Sequence, residues 1–282
     1  MRAARIRARG LAGERLLEMP PAAAARCPFL RRAPAVPLAA LRGAVSRSLM
    51  ARRPVAASAG GGGRAPAYSG LLLDAGGTLL QVARPVAETY ASIGLRYGVT
   101  KPEKRIMEGF KRAFSAPWPK TLRYQGDGRP FWRIVVAEAT DCTDDNYFEE
   151  VYQYYAHGDA WQLPVGADTT LRELKDAGVK LAVVSNFDTR LRKLLKDLKV
   201  SDMFDAIVVS SEVGYEKPAP EIFKIALDQI GVDASKAVHV GDDETADKAG
   251  ANAVGLECWL WGEDVKTFSD IRGRILNTDD RQ

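Results

Sequence analysis

Residues 70–78 read Gly-Leu-Leu-Leu-Asp-Ala-Gly-Gly-Thr. A short apolar run that stops at a carboxylate and passes into paired glycines has the pattern of a buried strand followed by a tight turn. The strand would be Gly70–Leu73, and Asp74 would stand at its carboxyl end. Further apolar, β-branched runs follow at Lys180–Val184, Ala206–Ser210, Ala237–Val240 and Ala253–Trp259. Between them lie segments of helical period. Asp168–Ala177 places Leu171 and Leu174 on one face and stops at Gly178, a residue suited to a helix C-terminus. Asp188–Leu198 lines up Leu191, Leu194, Leu195 and Leu198. Pro220–Ile230 opens on a proline and closes at Gly231. Strands alternating with helices predict an α/β fold, a parallel sheet with helices on both faces. In such sheets ligands bind at the carboxyl ends of the strands.

Residues 85–165 break the alternation. Val86–Tyr97, Pro102–Phe114, Pro130–Ala139 and Asp145–Ala156 have helical patterns, and no strong strand lies among them. They predict a helical insertion after the first strand, a candidate lid over the site. The α/β core is then 65–84 joined to 166–282.

Four polar spots follow the apolar strands. They are Asp74-Ala75-Gly76-Gly77-Thr78, Ser185-Asn186, Lys217-Pro218, and Gly241-Asp242-Asp243 with Asp247. Each alone has an ordinary explanation: a turn, a helix cap, a solvated loop charge, a helix start favoured by its dipole. All four at the carboxyl ends of one sheet make a site.

Composition bounds the rest. The formal charge of +4 conceals an asymmetry: residues 1–64 hold thirteen Arg against Glu14 and Glu18, a balance of +11, leaving −7 for the remainder. An acidic body repels nucleic-acid phosphates, so no nucleic-acid partner is expected. No run of eighteen apolar residues occurs, so no membrane span is expected. Cys27, Cys142 and Cys258 are too few and too scattered for a disulfide framework, which favours a reducing compartment. The leader is rich in Arg, Ala and Pro and ends in Gly60–Gly63. It reads as a disordered organellar transit peptide, for chloroplast or mitochondrion. Translation from Met50 would instead leave the protein in cytoplasm or nucleus.

The order and types of the four spots resemble the haloacid dehalogenase-like (HAD) hydrolase superfamily, from Gly70 to about Trp261. Gly214–Phe223 (GYEKPAPEIF) matches the family's third motif and helix, and Val238–Gly250 (VHVGDDETADKAG) its fourth. The resemblance implies a Rossmann-like core with an inserted helical cap over 85–165, and a small phosphorylated substrate. It implies Asp74 as nucleophile, forming an acyl phosphate. Facing carboxylates repel, so a hard cation is called for. Mg²⁺ fits, held by Asp74, the Gly76 carbonyl and Asp242, with Asp243 or Asp247 in support. Lys217 would neutralise Asp74 and the phosphoryl oxygens. Ser185, Asn186 and Thr78 would hold the phosphoryl group. His239 is expected to be a core residue and His157 a surface one. Trp118, Tyr124, Phe131 and Trp132 are expected mainly to pack the cap.

One position departs from the pattern. Phosphatases of the family carry, two residues after the nucleophile, a second Asp that protonates the leaving group and then activates water. Here that residue is Gly76. A missing general acid typically forfeits about 10²–10⁴-fold. Three readings follow. One is a phosphohydrolase with a good leaving group, or with a cap acid such as Asp127. A second is a C–P bond hydrolase using Lys101 or Lys104. A third is a non-catalytic binding scaffold. True haloacid dehalogenases lack an acidic fourth motif, so Asp242 and Asp243 argue against that chemistry.

Overall fold

The computed structural model describes residues 65–118 and 123–277. The Arg-rich leader, and the targeting expectation with it, lies outside the described residues. β1 (Gly70–Leu73) is fully buried and central in a five-stranded parallel sheet. Outward on one side lie β4 (Lys180–Ser185) and β5 (Ala206–Val209), on the other β6 (Ala237–Gly241) and β7 (Glu257–Leu260), giving the order β5-β4-β1-β6-β7. Leu73 is level with Val183 of β4 and Val240 of β6. That register brings Asp74, Ser185 and Asp242 to neighbouring strand ends.

A strand with neighbours on both sides and helices on both faces must be apolar all round, which is why Leu71–Leu73 do not alternate with polar residues. Leu71 and Leu73 join one core layer with Leu181, Val183, Val238 and Val240. Helices α5 (Ala167–Asp176), α6 (Leu191–Asp197) and α8 (Phe268–Leu276) close that layer. Leu72 turns to the opposite layer, with Ala182, Val184 and helix α7 (Pro220–Ile230). In α7, Ile222, Phe223, Ala226, Leu227 and Ile230 are buried at helical spacing, and Gly231 ends the helix at φ 66°. Each large apolar side chain so buried contributes about 1.5–3 kcal/mol.

The insertion carries its own core. Helices α1 (Val86–Gly94), α2 (Glu103–Phe114), α3 (Arg129–Thr140) and α4 (Asp145–Tyr155) bury Tyr90, Ile106, Val136, Tyr147, Phe148 and Val151 together. Asp144 caps α4, accepting from the backbone N–H groups of Asn146 at 2.8 Å and Tyr147 at 2.9 Å. No helix among the described residues is long and apolar enough to cross a membrane.

Three differences from the sequence expectation have a clear physical reason. A two-residue strand β3 (Trp161–Gln162) pairs antiparallel with β2 (Gln81–Val82) and ties the two ends of the insertion together. A pair so short has no period to detect. The helix expected from Asp188 begins at Leu191, because Asp188 forms a turn that accepts from the Arg190 N–H at 3.1 Å. The last strand begins at Glu257 instead of Ala253, because Leu256 N–H still bonds back to Ala251 O at 3.1 Å.

Helices α2 and α3 cross where Gly109 has no side chain. A Cβ there would stand 2.9 Å from both Ala139 Cα and Glu138 O, which are backbone atoms that cannot swing aside. Gly to Ala in a helix interior ordinarily gains up to about 1 kcal/mol. At this crossing the sign reverses. Gly109→Ala is expected to destabilise by about 1–3 kcal/mol, seen as a Tm lowered by several degrees in a thermal melt.

Candidate active site

The site is built on the turn after β1. Asp74 N–H continues the ladder to Val240 O at 2.9 Å, and the chain then folds back as Leu80 N–H bonds Ala75 O at 2.7 Å. Gly77 makes this possible. Its φ is 92°, and a Cβ on it would collide with the Asp242 carboxylate. Gly241 does the same for the other acid: a Cβ there would collide with the carboxylate of Asp247.

Lys217 organises the centre. Its Nζ donates to Asp74 Oδ1 at 2.5 Å and to Asp247 Oδ1 at 2.6 Å, with all three side chains buried. Ser185 Oγ donates to Asp74 Oδ1 at 3.2 Å. Asp247 also accepts from His239 Nε2 at 2.7 Å and from the Asp243 N–H at 3.1 Å. Asp74, Asp242 and Asp247 each offer a carboxylate oxygen, and those oxygens lie within 4.8 Å of one another.

Burial and charge pull these groups in opposite directions. Burial raises the Asp74 carboxyl more than Lys217 lowers it, and Asp247 adds a further push, leaving it at about 6. Burial also acts to raise Asp247, but Lys217 and His239 together overcome it and hold that carboxyl below the usual range. Partial burial and the Asp247 charge push Asp242 upward. Burial alone would lower the Lys217 ammonium, yet its two carboxylate partners outweigh that and raise it. The pattern is a fixed cation among three acids, two of which resist ionising together.

The remaining expected residues fall into two groups. Asn186 lies at the site, but its carboxamide grips the backbone of Lys217. Its Oδ1 accepts from Lys217 N–H at 2.7 Å and its Nδ2 donates to Lys217 O at 2.9 Å, beside the cis Lys217–Pro218 bond. Asp243 lies at the site as a cap. It accepts from Thr245 N–H at 2.8 Å and Ala246 N–H at 2.6 Å, opening the turn Glu244–Ala249. Of the two candidate supporting acids, Asp247 is therefore the one in the carboxylate cluster. Gly76 is on the cavity wall. Thr78 is fully buried beneath the turn and is not among the cavity's lining residues.

Asp127 does not reach the cavity wall. Its carboxylate faces Arg129, with Nε at 2.9 Å. Lys101 pairs with Asp141 at 2.9 Å, Lys104 is exposed, and neither lines the cavity. His239 is a core residue that also anchors Asp247, and His157 is exposed beside Lys193. Tyr124 and Trp132 line the cavity, whereas Phe131 and Trp118 pack behind them.

Above the carboxylates lies a cavity of about 520 Å³, walled by the sheet's carboxyl end and by the helical insertion. Phe187 and Asp188, just past β4, belong to that wall. Neither had a signal in the sequence beyond its position after Ser185-Asn186. Asp188 is buried in an ion pair with Arg190 at 2.7 Å and accepts from Trp132 Nε1 of the insertion at 3.0 Å.

Comparison with known proteins agrees with this architecture. The family model described as haloacid dehalogenase-like hydrolase matches residues 68–255. The chain belongs to the haloacid dehalogenase-like hydrolase family. Haloacid dehalogenase-like hydrolase domain-containing protein 3 of Mus musculus is 34% identical over 220 residues, 73% of this chain and 86% of the relative. A ribulose-1,5-bisphosphate 5-phosphatase of Halopiger xanaduensis is 45% identical over 96 residues, 34% of this chain and 40% of that protein. Among solved structures, an HAD phosphatase from Thermococcus onnurineus superposes with a TM-score of 0.54 at 23% identity. It covers 72% of this chain and 96% of its own, a likeness of fold.

The site makes a stability prediction. Asp74 has a folded value near 6, above the ordinary 3.8. The protonated form therefore favours folding at low pH, and that contribution is lost as pH rises through 6. With chelator present, Asp74→Asn is expected to raise Tm at pH 7.5. The gain should shrink as pH falls toward 4. A lower Tm at pH 7.5, or a gain independent of pH, would contradict the electrostatics.

Proposed function

We propose that this hydrolase-family protein is a magnesium-dependent phosphohydrolase acting on a small phosphorylated molecule through an aspartyl-phosphate at Asp74. The observation that carries the reading is the Lys217 ammonium shared by Asp74 and Asp247, with Asp242 completing a carboxylate trio within 4.8 Å. Three oxygens so close suit a hard divalent cation, and Asp74 and Asp242 would hold it with the Gly76 carbonyl. When bound, the cation supplies positive charge that lets an anionic nucleophile and an anionic phosphoryl group approach.

The chain's own groups do the rest. Lys217 fixes the Asp74 carboxylate and presents positive charge to the incoming phosphoryl oxygens. Ser185 Oγ, already 3.2 Å from Asp74 Oδ1, is placed to donate to a phosphoryl oxygen. The Asn186 side chain positions Lys217 through its backbone. Asp247, itself anchored by His239, holds the lysine from behind. The helical insertion serves as the cap, closing the cavity against water. The phosphatase similarity at Halopiger supports an ester of a small phosphorylated compound as the substrate type.

Gly76 favours one competing reading, a metal-binding scaffold that has lost turnover. A single comparison separates the two. The full chain with Mg²⁺ is expected to hydrolyse an activated phosphate ester, and both Asp74→Asn and EDTA should remove at least about 10³-fold of that rate, as loss of a nucleophile does. Mg²⁺ binding by calorimetry without turnover of any ester would establish the scaffold instead.

A further inference from the structure

The cavity's upper wall is built of rings. Phe187 follows Asn186, and its backbone is pinned: its N–H bonds Ser210 Oγ at 3.1 Å and its carbonyl accepts from Ser211 N–H at 3.3 Å. The Trp161 ring lies 6.2 Å from it, and Tyr155 lies 6.0 Å beyond Trp161. Trp161 Nε1 is already satisfied by Tyr155 O at 3.1 Å, so an apolar face is what this pair offers a ligand. Tyr124 and Trp132 add rings from the insertion.

The acid is missing on the same side. A Cβ built on Gly76 meets no described atom closer than Phe187 Cε2 at 4.0 Å. The space where a proton donor would stand is therefore open, and it opens toward the Phe187 ring. Among the described lining residues, the insertion contributes no Asp, Glu or His. From the core, Asp188 lines the cavity but is held by Arg190 and Trp132, Asp242 belongs to the carboxylate cluster, Asp243 caps the following turn, and Glu216 lies farther along the wall beside Lys217. A leaving group departing toward Phe187 meets an aromatic ring where the family's carboxyl group would stand.

We infer that the substrate is an aryl phosphate, whose ring lies against Phe187 and Trp161 and whose phenolate leaves without protonation by the protein. This deepens the phosphohydrolase reading and rests on it. An Asp74 carboxylate oxygen bonds to phosphorus as the phosphorus–aryl oxygen bond breaks. The bonding pair goes to the phenolate oxygen, which takes a proton from solvent afterwards. Water then attacks phosphorus and gives its proton to solvent. The acyl-phosphate bond returns its pair to Asp74, and inorganic phosphate departs. An alkoxide is too basic to leave this way, whereas a resonance-stabilised phenolate is not.

The test is kcat/KM of the full chain with Mg²⁺ over a series of substituted phenyl phosphates and cyclohexyl phosphate. The rate should fall steeply as the phenol becomes less acidic, with phenyl preferred over cyclohexyl by more than about 10²-fold, the least a missing general acid withholds. Gly76→Asp should flatten that dependence. Phe187→Ala should reduce the phenyl-over-cyclohexyl preference by about tenfold, the scale of one aromatic contact. It should likewise weaken calorimetric binding of phenylphosphonate. Equal turnover of phenyl and cyclohexyl esters would overturn the inference while leaving the phosphohydrolase reading intact. So would a shallow series that steepens in Glu216→Gln, because the proton would then come from Glu216. Hydrolysis of none of the esters would overturn both.

Discussion

The site depends on one ammonium group. Lys217 Nζ sits between Asp74 and Asp247, at 2.5 Å and 2.6 Å, in a place all but closed to water. Two like charges 4 Å apart repel by about 4 kcal/mol at an effective dielectric of 20. Three carboxylates could not be gathered under one turn without a cation among them. Removing the lysine would be costly because the buried carboxylates would remain uncompensated, whereas removing Asp74 leaves Lys217 paired with Asp247. Much of the surrounding architecture keeps the lysine in place. Asn186 holds its backbone at both N–H and carbonyl, and His239 and the Asp243 N–H hold Asp247 behind it. Gly77 and Gly241 leave room for Asp242 and Asp247 to lie against the backbone.

The same economy governs the helical insertion. The helical insertion meets the sheet through Asp188, a buried carboxylate neutralised by Arg190. Asp188 accepts from Trp132 Nε1, and Arg190 lies 4.1 Å from the centre of the Tyr152 ring. Gly128 opens α3 directly over this pair, where a Cβ would come within 2.7 Å of Asp188 Oδ2. The insertion is therefore seated on a charge pair at one point and on the β2–β3 pairing at another. Its aromatic face is held over the strand ends, where a ligand's body would sit above Asp74.

The parts of this arrangement that were legible in the sequence are those with a local pattern. The apolar run 70–73 and the Pro-to-Gly bracket around Ile230 give β1 and α7 with their observed bounds. Residue type and order bring Asp74, Ser185, Lys217 and Asp242 to one edge because a parallel sheet aligns its strand ends. What stayed hidden lacks a local signature. Spacing alone does not distinguish Asp243 as a cap from Asp247 as Lys217's partner; that choice is made by the geometry of the turn between them. Phe187 and Asp188 acquire their roles only when the insertion folds over them. Thr78 sits in the motif yet under the turn, because the chain reverses at Gly77 before reaching it.

The central claim is that Asp74 carries the phosphoryl group. With Gly76 unable to activate water, the acyl phosphate should accumulate during turnover. Borohydride reduces an acyl phosphate to an alcohol, so trapping with borohydride in the presence of Mg²⁺ and an aryl phosphate should convert Asp74 to homoserine, read by peptide mass spectrometry. Homoserine at position 74, absent without substrate, is the predicted result. Release of phosphate with Asp74 unmodified under the same conditions would contradict the account.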